Sequence, residues 1–205
     1  MAKERVFIGI HCGASVDGVD LCAVQLTGRL ARGRAQQLAS GYVPLSGELR
    51  AALRELLAAA MVKPDALARA DAELSAAMAD ALQGWLRENA IAGEQVTVAA
   101  LAGPVLAAWP GQGGRPGMVL SVGGGDAAAR RVGVSVVDGF AASDAALGGR
   151  GVGETCWPAW KLLHDRRLSR VLVHLGGLVT LTFLGGGRSE ERRVGKEGRV
   201  RWWPE

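Results

Sequence analysis

The sequence feature that most constrains the fold is a glycine- and aspartate-rich turn between two apolar runs near the N-terminus. Val6–Ile10 is the first run, Val19–Leu26 is the second, and the turn between them carries Gly13, Ser15, Asp17 and Gly18. Glycine adopts positive φ readily and short polar side chains hydrogen-bond to nearby backbone, so this pattern predicts a hairpin. Backbone N–H groups in such a turn can hold phosphate oxygens, but the same residue types also form turns that bind nothing.

Two amphipathic helices are predicted after a third strand at Gln36–Pro44. Ser46 is placed to cap a first helix that runs to about Met61, with leucines at helical spacing. Pro64 suits the first turn of a second helix, which runs to about Asn89. The second helix has one apolar stripe, which is typical of a helix packed on a core; its members are Leu67, Ala70, Leu74, Met78, Leu82, Trp85 and Leu86.

The rest of the chain alternates apolar runs with glycine-rich stretches, which predicts an α/β fold with a mixed sheet. The predicted helices are Asp126–Arg131 and Trp157–Asp165. Gly103–Gly117 and Gly139–Glu154 are expected to be loops, and Gly176 and Gly177 are expected to join the last two strands. The predicted strands are Val96–Leu101, Met118–Val122, Val134–Val137, Arg170–Leu175 and Leu178–Leu184.

The amino-acid composition indicates the cellular compartment and excludes some classes of partner. An uninterrupted apolar run of about eighteen residues, which a membrane-spanning helix would need, is absent from the sequence, so no membrane partner is expected. The apolar stretch after the first basic residues is too short for a signal peptide. Cys12, Cys22 and Cys156 are odd in number and lack metal-ligand spacing, which indicates reduced thiols and a cytoplasmic protein.

The last eighteen residues, Arg188–Glu205, differ in character from the rest of the chain. They hold six Lys or Arg and four Asp or Glu, and without them the net charge falls from +4 to +2. The basic balance therefore gives no argument for a nucleic-acid partner. Because the run resembles what a common sequencing adapter encodes in one reading frame, we expect residues 188–205 to be a disordered read-through artefact following residues 1–187.

Two aspartates are candidates for proton transfer. Asp138 ends a predicted strand and Asp144 lies in the loop after it, where ligands of open α/β sheets bind. A carboxylate there can act as a general base, although an Asx-turn or a helix cap explains such a residue equally well from the sequence. The neighbouring Gly148, Gly149 and Arg150 would allow a backbone to approach a substrate. His11, His164 and His174 show no metal-ligand spacing.

The opening turn resembles the first motif of the anhydro-N-acetylmuramic acid kinases, Met-Ser-Gly-Thr-Ser-Leu-Asp-Gly-Ile-Asp after a strand. Within it Gly13, Ser15, Asp17, Gly18 and Asp20 match, whereas His11, Cys12, Ala14, Val16 and Val19 differ. Val134–Gly151 resembles the family segment with Asp-Phe-Arg, a further Asp, and Gly-Gly-Gln-Gly. His174–Thr182 resembles Asn-Ile-Gly-Gly-Ile-Ala-Asn-Ile-Thr. The three motifs occur in the family's order.

The resemblance implies a fold and an activity. The fold would be α/β, with the ribonuclease H-like mixed sheet of the sugar kinase/actin/Hsp70 superfamily and an incomplete second domain. The activity would be ATP-dependent opening of the 1,6-anhydro ring of an amino sugar by water, with phosphorylation of O6, in cell-wall recycling. ATP would bind with Mg²⁺ bridging its phosphates, and the intact parent would be a homodimer.

The resemblance also implies roles for particular residues. The turn would be the first phosphate loop, Gly176 and Gly177 would open the second, and Asp144 would be the general base, with Asp138 as the second candidate. The sugar would contact Gly103, Gly148, Gly149 and Arg150. The first phosphate loop consists of Gly13, Ala14, Ser15, Val16, Asp17, Gly18, Val19 and Asp20.

Several polar positions of the family are replaced. Its His-Gly-Gln-Thr-Val motif aligns with Ala102–Leu106, so the His, Gln and Thr are lost, and its phosphate-loop Thr is Ala14. Each lost hydrogen bond costs about 1–3 kcal/mol of recognition. Two alternatives therefore stay open beside the kinase: a non-catalytic binding or regulatory paralogue, and a two-metal nuclease, which would have to use Asp17, Asp20, Asp138 and Asp144.

Overall fold

A computed structural model describes ten strands and five helices in the chain. The described residues are 5–28, 33–109, 111, 115–149, 151, 156–165, 167–175, 179–185 and 188–194. The strands are β1 Arg5–His11, β2 Gly18–Thr27, β3 Arg34–Pro44, β4 Val96–Ala102, β5 Val105–Trp109, β6 Met118–Ser121, β7 Val136–Val137, β8 Arg170–Leu175, β9 Val179–Gly185 and β10 Arg188–Val194. The helices are α1 Gly47–Ala58, α2 Pro64–Glu88, α3 Asp126–Val132, α4 Phe140–Ala146 and α5 Cys156–Leu163.

The chain divides into two compact units. The first comprises residues 1–107 and 120–139, and the second comprises residues 108–119 and 140–205. The first unit holds a five-stranded sheet in the order β3-β2-β1-β4-β7. Strand β2 is antiparallel to β1 and β3, whereas β4 is parallel to β1 and β7. The α/β class with a ribonuclease H-like mixed sheet, predicted from the sequence, is confirmed.

The core of the first unit lies on one face of its sheet, under α1 and α2. Ile8 and Ile10 on β1 and Leu21 on β2 are buried with the apolar stripe of α2, as the two-residue period of a strand and the 3.6-residue period of a helix require. Both helices follow the prediction, except that α1 ends at Ala58 rather than near Met61. The fully buried side chains of α2 include Leu74, Met78 and Leu82.

Two strand glycines accommodate aromatic rings. A Cβ on Gly41 would overlap the indole of Trp85, and a Cβ on Gly18 would overlap the ring of Tyr42. The Trp85 side chain is buried and comes from α2, so Gly41 lets that helix approach β3 closely. Gly18 lets the Tyr42 ring lie over the start of β2, beside the opening turn.

The second unit contains a three-stranded antiparallel sheet in the order β10-β9-β8. Helix α5 contacts β9 and β10. Leu184 and Thr182 on β9 are buried, and Thr182 pairs with Leu172 on β8. The predicted β8–β9 hairpin is confirmed, while Gly176 and Gly177, expected at its tip, lie outside the described residues.

Three elements depart from the sequence prediction. Strand β5 occupies part of the expected loop Gly103–Gly117, because the apolar run Val105–Trp109 pairs with β6 despite its glycine- and proline-rich flanks. Helix α4 occupies part of the expected loop Gly139–Glu154, since its alanine-rich sequence favours a helix. Strand β7 contains only Val136–Val137 of the four residues expected.

The charged segment after residue 187 is ordered in part. Arg188–Val194 forms β10, antiparallel to β9 with Arg188 opposite Gly185. The expectation of disorder is therefore wrong for these seven residues, because backbone pairing with an apolar neighbouring strand does not depend on apolar side chains in the added strand. Residues 195–205 lie outside the described part.

None of the helices in the described ranges is long and apolar enough to cross a membrane.

Replacing Ser46 by alanine tests the predicted start of α1. The Ser46 hydroxyl oxygen accepts a hydrogen bond from the Leu49 N–H at 3.2 Å, which satisfies one of the unpaired donors of the first turn. We expect Ser46→Ala to lower the free energy of unfolding by about 1 kcal/mol in urea titrations. Ser46→Asp, which keeps a capping oxygen, should stay close to the wild type. Equal losses in both variants would contradict the capping role.

Candidate functional site

The turn between β1 and β2 is held in shape by backbone hydrogen bonds and by one buried side chain. The Val16 N–H donates to the Gly13 carbonyl at 3.0 Å, and the Leu45 N–H donates to the Asp17 carbonyl at 3.0 Å. Val16 has a φ of 44°, which is rare for a β-branched residue, and its side chain is completely buried. Burial of Val16 thus holds the turn in a conformation that costs about 1–3 kcal/mol of backbone strain.

Donor groups in the turn are available to a ligand. Within the described part of the chain, the N–H groups of Gly13, Ala14 and Ser15 have no acceptor. Ala14 is exposed, and Gly13 and Ser15 are partly exposed. Adjacent free N–H groups in a tight turn form a concave site for an anion such as a phosphate. The turn therefore fits the phosphate group that the sequence led us to expect there.

The hydroxyl of Ser15 is engaged inside the turn. Ser15 Oγ donates to Asp17 Oδ1 at 2.5 Å, and this hydrogen bond is the main reason that the pKa of Asp17 lies below its usual value. The positive charge of Arg50, on α1, lowers the pKa of Asp17 further. Asp17 is thus an ionised carboxylate, tied to Ser15 and within electrostatic reach of Arg50.

A buried thiol lies directly before the turn. The Cys12 N–H donates to the Ala102 carbonyl of β4 at 3.0 Å, and the side chain is completely buried. Burial, with smaller contributions from the negative charges of Asp17 and Asp20, raises the pKa of the Cys12 thiol to about 11. Cys12 is therefore neutral at physiological pH, and it packs as a small apolar group.

Asp138 fixes the glycine-rich turn before α3. Its Oδ2 accepts a hydrogen bond from the Gly125 N–H at 2.7 Å. The Gly124 N–H donates to Ser75 Oγ at 2.8 Å, and the Gly123 N–H donates to Asp71 Oδ1 at 2.8 Å. Three successive N–H groups are thus used within the protein, so this turn is not a second anion site. One oxygen of Asp138 therefore holds this turn, while no hydrogen bond to its Oδ1 is present among the described residues.

Asp144 lies on α4, with its carboxylate against a glycine-rich segment of the second unit. Asp144 Oδ2 accepts from the Gly151 N–H at 2.8 Å, and the Gly149 N–H donates to the Asp144 carbonyl at 2.8 Å. A Cβ on Gly149 would overlap the Asp144 carboxylate. The side chain of Asp144 is exposed, and no hydrogen bond to Oδ1 is present among the described residues. One carboxylate oxygen is therefore oriented by Gly151 while the other remains available as a base.

The remaining predicted site residues fall into different groups. Gly103 has a packing role, because a Cβ there would overlap the Val122 carbonyl oxygen. Gly148 has a φ of +90° and is exposed, which suits the turn after α4. Arg150, Gly176 and Gly177 lie outside the described residues. The opening turn and Asp138 belong to the first unit, whereas Asp144, Gly148 and Gly149 belong to the second.

Sequence reasoning missed two polar residues that shape this region. Asp71 and Ser75 were assigned no role, although they hold two of the three N–H groups in the Gly123–Gly125 turn. Their spacing of four residues on the otherwise apolar side of α2 is the signal that would have found them. Across the described ranges, no three His, Cys, Asp or Glu side chains form a metal-binding group.

A glycine-rich turn with free N–H groups, between strands of a mixed sheet, defines an α/β protein with a candidate phosphate-binding loop. The model of the anhydro-N-acetylmuramic acid kinase family matches residues 5–191, nearly the whole chain. The chain therefore belongs to the anhydro-N-acetylmuramic acid kinase family.

Curated relatives agree with this assignment at modest identity. An anhydro-N-acetylmuramic acid kinase of Rhodopseudomonas palustris is 30% identical over 195 residues, with 87% of this chain and 49% of the relative covered. The enzyme of the same name from Nitrobacter winogradskyi is 28% identical over 189 residues, with 87% of this chain and 49% of the relative covered. The chain thus spans about half the length of the curated relatives it matches.

Two solved structures are distant matches. An exopolyphosphatase-like protein aligns with a TM-score of 0.42 and 13% identity, covering 94% of this chain and 51% of that one. The Aquifex aeolicus member of the Ppx/GppA family aligns with a TM-score of 0.39 and 13% identity, and the alignment covers 93% of this chain and 51% of that one. At these TM-scores the similarity carries no argument about function.

Replacing Ser15 tests the origin of the lowered Asp17 pKa. In Ser15→Ala the hydrogen bond to Asp17 Oδ1 is lost, so we expect the pKa of Asp17 to rise toward the usual 3.8. Ionised Asp17 stabilises the fold above that pH, and this contribution is lost as the pH falls through the lowered pKa. Carboxyl ¹³C NMR titration measures the shift. Ser15→Thr, which keeps the hydroxyl, should resemble the wild type, and an unchanged pKa in Ser15→Ala would refute the assignment.

The raised pKa of Cys12 predicts a loss of stability in alkali. An unfolded thiol ionises near 9.0, whereas folded Cys12 ionises at about 11, so the free energy of unfolding should fall as the pH rises between these values. Below about pH 9 both states hold the proton and Cys12 contributes no pH dependence. Urea titrations of the wild type and Cys12→Ala isolate the effect. Parallel pH profiles for the two proteins would contradict it.

Proposed function

We propose that the chain is part of an ATP-dependent kinase of 1,6-anhydro amino sugars, and that residues 13–20 hold the phosphates of ATP. The observation that carries this proposal is the row of free N–H groups at Gly13, Ala14 and Ser15, in a chain of the anhydro-N-acetylmuramic acid kinase family. Mg²⁺, bound through the phosphates, would neutralise the charge that develops in phosphoryl transfer.

In this proposal, phosphate binding and proton transfer are carried out by different residues. The turn orients the terminal phosphate through its backbone N–H groups, which act as preorganised donors. Asp144, which aligns with the family motif, is the general base; the Gly151 N–H holds Oδ2 and leaves Oδ1 to take the proton of the water that opens the anhydro ring. Asp138, whose Oδ2 accepts from the Gly125 N–H in the same way, is the second candidate.

The substitutions at the family's polar positions bear directly on the sugar substrate. Ala102–Leu106 lacks the His, Gln and Thr of the family motif, and β5 starts within this segment. We propose an altered sugar specificity for the parent protein, in the cytoplasm, with ATP and an amino sugar as its small-molecule partners. A regulatory paralogue that binds nucleotide without turnover is the second candidate, favoured by the same losses.

Substitutions of exposed Ala14 test the phosphate loop. Ala14→Thr restores the hydroxyl donor found in the family, so we expect ATP to bind several-fold more tightly in calorimetric titrations with Mg²⁺. Ala14→Asp adds a negative charge beside the free N–H groups and should weaken binding by about tenfold or more. Equal affinities for the wild type and both variants would refute the assignment of the loop.

The turnover of the purified chain is a separate test. The family's polar sugar contacts are replaced, and the chain spans about half the length of its relatives. We therefore expect the purified chain not to phosphorylate anhydro-N-acetylmuramic acid with ATP. Mass spectrometry of the sugar measures the product. If the wild-type chain phosphorylates the sugar and Asp144→Asn does not, the expectation of inactivity is contradicted and the chain is an active enzyme. If both the wild type and Asp144→Asn phosphorylate the sugar, Asp144 is not the base.

A further inference from the structure

His11 lies beside the phosphate loop, at a place where the family motif has a methionine. It is the last residue of β1, and it pairs with Asp20 on β2, which in turn pairs with Tyr42 on β3. Directly paired residues of neighbouring strands lie on the same face of a sheet. His11, Asp20 and Tyr42 therefore form a cross-strand row, and all three are exposed.

The imidazole of His11 reaches the first residue of the turn. A Cβ built on Gly13 would lie 3.3 Å from His11 Nε2, which places the ring against the Gly13 Cα. The Gly13 N–H is the first of the three free donors of the loop. An anion held by these donors would thus lie next to a ring nitrogen that can carry a proton.

The loop needs such a donor because its own side chains supply none. Ala14 has no hydroxyl, and Ser15 Oγ already donates to Asp17 Oδ1 at 2.5 Å. The Asp17 carboxylate within the loop and the Asp20 carboxylate at its end add negative charge, which opposes a bound phosphate. A protonated imidazole would offset this charge and form a charge-assisted hydrogen bond.

We propose that His11 is a binding residue for the terminal phosphates of the nucleotide, donating from Nε2 to a phosphate oxygen that the Gly13, Ala14 and Ser15 N–H groups also hold. The inference rests on the proposed function of the loop. It gives phosphate binding a pH dependence, since histidine changes charge near neutral pH.

The surroundings of His11 define which other groups could contribute to that pH dependence. Asp20 faces it from β2 and Tyr42 lies beyond Asp20 on β3, while its partner on β4 is the uncharged Ala102. Among the described residues, Asp17, Cys12 and Arg50 are further ionisable groups around the turn. Histidine is the type among these whose ordinary titration falls between about pH 5.5 and 8.

The test compares tripolyphosphate binding to the full 205-residue chain in the wild type, His11→Gln and His11→Lys. At about pH 5.5 the wild type should bind about tenfold more tightly than His11→Gln, which keeps a neutral donor, and at about pH 8 the two should agree within about twofold. His11→Lys keeps its charge at both pH values and should bind tightly at both. His164→Gln, a change of a half-buried histidine that follows α5 and lies outside both proposed phosphate loops, is the matched control and should follow the wild type.

The outcomes separate this inference from the function of the loop. Protonation of tripolyphosphate itself affects all variants equally, so it cancels in the comparison. If the wild type and His11→Gln bind equally at both pH values while Ala14→Asp abolishes binding, the role of His11 is overturned and the phosphate loop stands. If no variant binds at either pH, both are overturned. Dispersed ¹⁵N NMR spectra of each variant confirm that it is folded.

Discussion

Strand β1 is the constraint on which the first unit depends, because it pairs with β2 on one side and with β4 on the other. Its two-residue period sends Ile8 and Ile10 into the core under α2 and leaves Gly9 and His11 on the opposite face. The backbone bond from Cys12 to Ala102 of β4 extends this pairing to the base of the opening turn. The free donors of the turn are therefore held on a rigid support.

The first unit was largely predictable from sequence, because its elements show clear periods and boundary residues. Ser46 and Pro64 marked the starts of α1 and α2, and the apolar runs Val6–Ile10 and Val19–Leu26 marked β1 and β2. Prediction failed where a local signal was overridden by a longer-range one. Glycine and proline around Val105–Trp109 indicated a loop, but pairing with β6 made the segment a strand.

The candidate site was predictable in part. The residue types in the turn indicated anion binding, and the structure adds that the Gly13, Ala14 and Ser15 N–H groups have no acceptor among the described residues while the Ser15 hydroxyl is engaged. The sequence left Asp138 and Asp144 as competing bases, since each follows a predicted strand. Hydrogen-bond geometry does not separate them, because Asp138 Oδ2 accepts from the Gly125 N–H just as Asp144 Oδ2 accepts from the Gly151 N–H, and among the described residues neither Oδ1 has a partner. The order of preference, with Asp144 first, comes from the resemblance to the family motif. Contacts between residues distant in sequence cannot be read from local patterns.

The proposed phosphate binding by the backbone of residues 13–20 can be measured directly. The measurement is the change in ¹⁵N and ¹H shifts of each backbone amide when ATP and Mg²⁺ are added to the labelled chain. We expect the largest changes at the Gly13, Ala14 and Ser15 amides, with little change at Gly123, Gly124 and Gly125, whose N–H groups are already bonded. Changes centred on the Gly123–Gly125 turn, or spread evenly over the chain, would contradict it.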